Sequence, residues 1–293
     1  MLAYEHEPIP SYGILERLWH SAFGTVLYDY TLKRRIPKKT DKFSLSSFPG
    51  DAVCGYRFLA GSVIFEGKKY SLDSLLNASP ATPLNVLDYF DSFSWLSDLC
   101  AVKGDKSKHL AASLIIDWVS KNKSWRKNTW RPEITGSRLV NWIKNFEFLT
   151  NREDPYFDNL FYSALVKQSI HLHRTFLRAE AGANRLAASK GVVFCGIVLP
   201  DSDSYLISGL DCFEEQVKKL IFPDGGHVSR NPKTQLDTLL DVVEIKLALN
   251  SANIKAPVWL ETLADRMVPM VKAMQLGDGG LALFNGGSIG DSR

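Results

Sequence analysis

Two polar clusters in this chain combine residue types and spacings that could do chemistry. In FPDGGHVSRNP, residues 222–232, His227 and Arg230 stand three positions apart beside two glycines and a proline. An imidazole exchanges a proton near neutral pH, and a guanidinium holds a carboxylate through paired hydrogen bonds. In SWRKNTWRPEITGSR, residues 124–138, Trp125 and Trp130 are interleaved with Arg126, Arg131 and Arg138. Exposed indoles offer flat apolar faces to a sugar ring, and the arginines could meet its anionic groups. Part of the first cluster has a structural explanation. Asp224-Gly225-Gly226 suits a glycine-dependent reversal, Ser229 or Asn231 can cap a following helix, and Pro232 can start it. A turn needs neither His227 nor Arg230, so both are candidates for ligand contact.

The elements that must position these clusters are mostly helices. Leu110, Leu114 and Trp118 recur every four residues, with Ile115 and Val119 beside them, and predict a helix over 106–121. Leu139, Trp142, Ile143, Phe146 and Leu149 predict the next, with Trp142 inward. Further apolar faces run through 160–172, 191–199, 213–220 and 236–247, and Pro257 opens a last helix with Leu260, Leu263 and Met267 inward. Before about Leu84 the pattern differs: 33–55 reads as extended loop, and GYRFLAGSVIFEGKKYSL as short strands around Gly61 and Gly67. The organisation expected is an N-terminal extended and β-hairpin region over 1–83, a ring of antiparallel helix pairs over 84–276, and a β-like "LALF" within 277–293.

Composition narrows the function. The 293 residues are 45% hydrophobic and 11% aromatic, enough for a large core. With 35 basic against 32 acidic residues the net charge is +3, and like charges do not run in long blocks, so no nucleic-acid partner is expected. Cys54, Cys100, Cys195 and Cys212 are scattered without a CxxC pair, and His171 and His173 alternate, which makes a poor metal pair on a helix; no metal and no cofactor is expected. His20, beside Trp19, reads as structural. The N-terminus lacks the pattern of a secretory signal and no 18 apolar residues run together, so the expectation is a cytoplasmic protein without a membrane span.

The order FSWLSDL, DWVSKN, WRPEITGSRLVNWI, GANRLAASKGVVFCGI, FPDGGHVSRNP and DGGLALFNGG resembles the heparinase II/III-like family over nearly all of the chain after about Gly50. The resemblance implies a mainly α fold: an incomplete α/α toroid with a short N-terminal β element, and the start of a C-terminal β-sandwich domain that is otherwise missing. It implies polysaccharide lyase chemistry, in which a uronate carboxylate is neutralised, a base takes the C5 proton and an acid protonates the leaving O4. By the same resemblance the toroid supplies an Asn or Asn-His pair and a Tyr, and the β domain a His. Here Asn184, in GANRLAASK, stands at the Asn position if one residue is deleted and at the His position if Lys190 is aligned without a gap. No histidine occurs in that motif, and Thr234 stands where the tyrosine is expected.

Asn184 and His227 are therefore the candidate catalytic residues, and Arg230, Trp125, Trp130, Arg138 and Arg185 the candidate substrate-binding ones. The partner expected is an acidic polysaccharide, bound without cleavage, with self-association through the surface that a β domain would cover. Two alternatives stay open: a non-catalytic carbohydrate-binding or assembly domain, and a toroid glycoside hydrolase needing a carboxylate pair, for which Asp224 and Glu180 are the nearest candidates.

Overall fold

The computed structural model describes residues 14–33, 45, 48–77, 79, 81–150 and 154–286. Its N-terminal part is more helical than the sequence suggests. Short helices α1 (Ile14–Phe23), α2 (Val26–Thr31), α3 (Ala52–Leu59) and α4 (Leu72–Leu76) lie where extended chain was expected. Thr25, Asp51 and Ser71 cap three of them by accepting from backbone N–H groups, so cap chemistry prevails over Gly- and Ser-rich composition. Part of the loop read over 33–55 lies outside the described residues. The hairpin forms as expected: β1 (Ser62–Phe65) pairs antiparallel with β2 (Lys68–Ser71) in the register Val63 to Tyr70. Glu66 and Gly67 both take positive φ, the two-residue turn whose twist matches paired strands.

From Leu84 onward the chain is helical: α5 (Leu84–Asp91), α6 (Leu96–Val102), α7 (Asp105–Lys121), α8 (Pro132–Lys144), α9 (Phe146–Thr150), α10 (Pro155–Thr175), α11 (Ala183–Val198), α12 (Asp203–Leu220), α13 (Pro232–Ser251) and α14 (Val258–Ala273). Short connections make consecutive long helices antiparallel, and the arrangement is that of an incomplete toroid. Helices approach one another closely at glycines. A Cβ on Gly191 of α11 would lie 2.4 Å from the Cα of Gly136 of α8, so these two backbones touch where no side chain fits. In the buried core Phe93, Trp118 and Trp142 meet edge-to-face, with Trp95 tilted against Phe93 and the Trp118 and Trp142 rings 6.0 Å apart at 88°.

The expected C-terminal β element does not form among the described residues. LALF contributes an isolated bridge, Gln275 to Leu281, and no strand; Leu283 and Phe284 stay exposed. A strand needs a continuous hydrogen-bonded neighbour, and among the described residues up to 286 the pairing stops at this one bridge, with Ala282 N–H donating to Met274 O at 2.9 Å. Residues 287–293 lie outside the described chain. Cys195 and Cys212 are buried, Cys54 and Cys100 half-buried, and none of the four is in a disulfide.

Two buried polar clusters tie the helices together. Lys144 of α8 and Lys190 of α11 both grip Glu244 of α13, Lys144 at 2.6 Å, and Lys190 also meets Asp241 at 2.6 Å. Burial alone would raise the Glu244 carboxyl, but the two ammonium groups outweigh it and hold it down to about 2. Separately, the His171 ring of α10 bonds the Trp130 carbonyl through Nε2 at 3.1 Å and the Tyr28 hydroxyl through Nδ1 at 2.8 Å. A carbonyl can only accept, so Nε2 carries the proton and the tyrosine donates to Nδ1. Burial, aided by Arg138 and Arg174 and only partly opposed by the Trp130 carbonyl, pulls this imidazole down to about 3.

Glu244→Ala leaves two buried ammonium groups facing one carboxylate, and is expected to cost about 3–5 kcal/mol of stability. Urea unfolding checks it; a loss under about 1 kcal/mol would mean that solvent reaches the lysines. His171 sets an acid limit. The folded chain keeps it neutral while the unfolded chain takes a proton near pH 6.5, so its contribution is complete above that pH and drains away as pH falls toward 3. Between pH 7 and pH 5 this group should cost about 2 kcal/mol, seen as a steeper fall in urea midpoint for the native chain than for His171→Gln.

Candidate functional site

The turn 222–231 is built mainly by its backbone. Phe222 N–H donates to Gly226 O at 2.8 Å, and Ile221 bridges His227. Gly225 has φ +88°, and a Cβ there would lie 2.1 Å from the Arg266 carbonyl, so the turn packs directly on the backbone of α14. Asp224 accepts from Gly226 N–H at 2.9 Å. Gln235, one turn into α13, accepts from His227 N–H at 2.6 Å and donates to Gly225 O at 2.9 Å. Asn231 is the cap, accepting from Lys233 and Thr234 N–H, and Pro232 follows it. The structural reading of Asp224, the glycines, Asn231 and Pro232 therefore holds, and Gln235 joins them.

His227 and Arg230 differ in what they can do. The imidazole is buried, and its Nδ1 accepts from Ser229 N–H at 3.1 Å with the Ser229 hydroxyl 2.8 Å away. That geometry leaves the proton on Nε2, and burial holds the group below its ordinary range. A neutral imidazole so oriented offers a hydrogen-bond donor at Nε2; it has no free lone pair to act as base. Arg230 is exposed on a left-handed residue, φ +50°, with its carbonyl accepting from the Asn285 amide at 3.1 Å. Thr234 is half-buried in the first turn of α13.

Asn184 lies in the first turn of α11, half-buried, behind Gly182 at φ +105°. Its neighbour Arg185 folds back to donate from Nε and one terminal nitrogen to Ala179 O, at 3.0 and 2.7 Å, which fixes the entry to the helix. Topology brings this helix end and the turn to one rim. Gly182 N–H donates to Gln216 near the end of α12, the turn follows α12, and Lys190 of α11 meets Asp241 of α13, so α11 and α13 start at the same end. The start of α8 joins them through Glu133. Burial raises that carboxyl, and the charges of Asp88 and Glu180 add to the rise against the pull of Arg131.

The aromatic loop is divided by the fold. Trp130 is 2% exposed, its Nε1 donating to Asn122 O at 3.3 Å. Arg138 is fully enclosed, donating to Gln168, Asp91 O, Thr129 O and Thr135 at 2.6–3.1 Å and lying 4.1 Å over the Trp118 ring. Neither can meet a ligand in this structure, which corrects the expectation of exposure for both. The cause is position: Trp130 ends the loop against His171 and so closes the core, and Arg138 faces inward from α8. Trp125 stays half-exposed, with the rings of His20 and Phe23 5.2 and 5.8 Å away. Of the sequence-derived candidates, the rim brings together Asn184, Arg185, His227 and Arg230.

Sequence reasoning missed a groove of about 760 Å³ between α5, the end of α7 and the aromatic loop, lined by Asp88, Asp91, Asp117, Trp118, Arg126 and Asn128 among others. Burial raises the Asp91 carboxyl although Trp118 Nε1 donates to it at 2.7 Å. Its walls come from segments some 40 residues apart, so no local pattern announces them. Glu133 had a signal, the acidic residue after Trp-Arg-Pro at a helix start.

Residues 100–288 match the profile of the family described as Heparinase II/III N-terminus. FtsZ-localized protein C of Caulobacter vibrioides is 28% identical over 287 residues, which are 96% of this chain and 48% of that protein. The chain thus spans about half the length of that curated relative. Among solved structures, the heparan sulfate lyase HepC from Pedobacter heparinus superposes with a TM-score of 0.62 at 19% identity, over 88% of this chain and 44% of its own. Heparinase III superposes with a TM-score of 0.65 at 12% identity, over 92% and 47%. These two share the fold. With the family profile covering well over half of the sequence, the chain belongs to the heparinase II/III family through the family's N-terminal region.

Proposed function

We propose that this chain is the toroid of a heparinase-like protein and binds acidic polysaccharide at the rim formed by the starts of α8, α11 and α13, without cleaving it. The observation that carries the reading is the state of the turn. Arg230 extends an exposed guanidinium suited to a uronate carboxylate or a sulfate, while the His227 lone pair beside it is occupied by Ser229 N–H. Asn184 on the same rim adds a neutral amide donor, and Trp125 a half-exposed indole. Binding groups are present, and the base is not. A threonine at 234 does not replace a tyrosine, because an aliphatic hydroxyl is far too weak an acid to form the anion that takes a C5 proton. Losing one proton-transfer partner costs about 10²- to 10⁴-fold in rate. In the whole protein, a β-sandwich domain following the toroid would complete the cleft.

A second reading has a specific observation behind it. The curated relative is named for localisation with FtsZ and aligns over nearly the whole of this chain. On that reading the toroid serves as an assembly module of a cell-division complex, and the missing base is the trace of a lost activity.

Mixing the chain with heparan sulfate, hyaluronan and alginate should give no rise in absorbance near 232 nm, where an unsaturated uronate absorbs, while calorimetry detects binding that Arg230→Ala weakens about 3- to 10-fold. Growth of that absorbance would overturn the non-cleaving half. Absence of binding to every acidic polymer, together with co-sedimentation with FtsZ polymers, would favour the assembly reading.

A further inference from the structure

The helix pair α1–α2 lies on a strip of α10 that is poorly matched to it. Lys167, His171, Arg174 and Arg178 follow at intervals of four, three and four residues and so share one face, continued by the 3-10 turn at Phe176–Arg178. The strip ends just before the rim at Asn184. Each cation meets α1–α2 in a different way. Lys167 pairs with Asp29. Among the described residues Arg174 donates to neutral acceptors, Thr31 Oγ1 at 2.8 Å and Thr31 O at 3.2 Å. Arg178 lies 4.1 Å over the Trp19 ring and 5.9 Å from that of Phe23. Among the described side chains of the pair, residues 19–33, Asp29 is the one carboxylate. Among the described side chains three cations thus face one anion of the pair, and the two arginines are exposed.

Over residues 19–33 the pair is also shallowly seated. Between residues 19 and 33 only Phe23 and Leu32 are buried, whereas Val26, Leu27 and Tyr30 are 86%, 80% and 69% exposed. Its contacts mimic what a sugar chain would supply. The rings of His20 and Phe23 flank Trp125 where a pyranose face could stack, and the Thr31 oxygens occupy donors of Arg174 that suit a carboxylate or sulfate.

We infer that Lys167, Arg174 and Arg178, with Trp125 beside them, form an extension of the polysaccharide-binding rim, and that α1–α2 occupies this extension in competition with the ligand. The inference rests on the polysaccharide reading above and adds a second surface and its control. The strip supplies three positive charges at a spacing that follows the helix, and a linear polyanion satisfies them better than Asp29, Thr31 and two aromatic rings. Lifting the pair withdraws Phe23 and Leu32, breaks the Tyr28–His171 and Asp29–Lys167 contacts, and releases all of these groups at once.

Heparin is the probe. Phe23→Ala removes the main anchor of the pair and should tighten heparin binding about tenfold, the gain expected when a competent state goes from about one-tenth populated to dominant. Adding Arg174→Gln and Arg178→Gln should abolish that gain, with circular dichroism confirming that both variants keep native helix content. The unmodified chain gives an independent readout: heparin should speed amide hydrogen exchange over residues 26–33. Unchanged affinity of Phe23→Ala, a gain that survives loss of both arginines, or unaltered exchange in α2 would each overturn the inference. If the native chain still binds heparin through Arg230 in those cases, the polysaccharide reading stands alone; if neither the native chain nor any variant binds, both fall together.

Discussion

The buried guanidinium of Arg138 is the constraint on which the rim depends. Four hydrogen bonds and the Trp118 ring occupy it, and they come from the end of α5, the aromatic loop, α8 itself and α10. Burial lowers it to about 9, with Asp91 opposing the shift, so it remains a cation at neutral pH. A buried charge must be fully coordinated, and this arrangement of the segments coordinates it. The loop that carries Trp125 is therefore positioned by a residue that never meets solvent, and Trp130 closes over the same core.

This changes the meaning of the motif. Arg138, Asn141 and Trp142 form the R-x-x-N-W pattern by which the family can be suspected, yet none of them faces the rim. Asn141 donates to Ser92 O at 3.0 Å, and Trp142 is fully enclosed. Gly136 and Gly191, in the flanking motifs, exist for a helix crossing. Lys190, which anchors the alignment of GANRLAASK, is held above its ordinary range: burial pulls it down, but Asp241 and Glu244 more than reverse the effect. It is an interior ion-pair partner. The motif residues named here chiefly close the toroid, whereas Thr234 and Asn184 lie in the first turns of the helices that start at the rim.

Charge is distributed by the same logic. The interior pairs its ions closely: two lysines against two carboxylates in one cluster, and Arg131 against Asp88 and Glu133 at the start of α8. On the outer face of α10 Lys167 pairs with Asp29, whereas the N-terminal helices cover Arg174 and Arg178 with neutral oxygens and rings. A nearly balanced net charge thus conceals a local excess of positive charge, the quantity that matters to an anionic partner.

The helices from Leu84 onward were legible in the sequence because their apolar residues repeat with the helical period, and so was the hairpin, whose glycines punctuate two short β-forming runs. The turn after α12 could be recognised as a turn with two spare polar residues, because proline, glycine and asparagine act on the backbone locally. Those properties belong to neighbours along the chain. Which indole is exposed, which arginine is enclosed and which way the His171 proton points depend on groups 30 to 143 residues away: Gln168 for Arg138, Tyr28 and Trp130 for His171. Trp125 and Trp130 look equivalent in sequence; packing on His171 buries one, and the N-terminal helices only flank the other. Residue types and their local geometry follow from sequence, whereas exposure and protonation are set by desolvation and by long-range partners, which exist only once the toroid has closed.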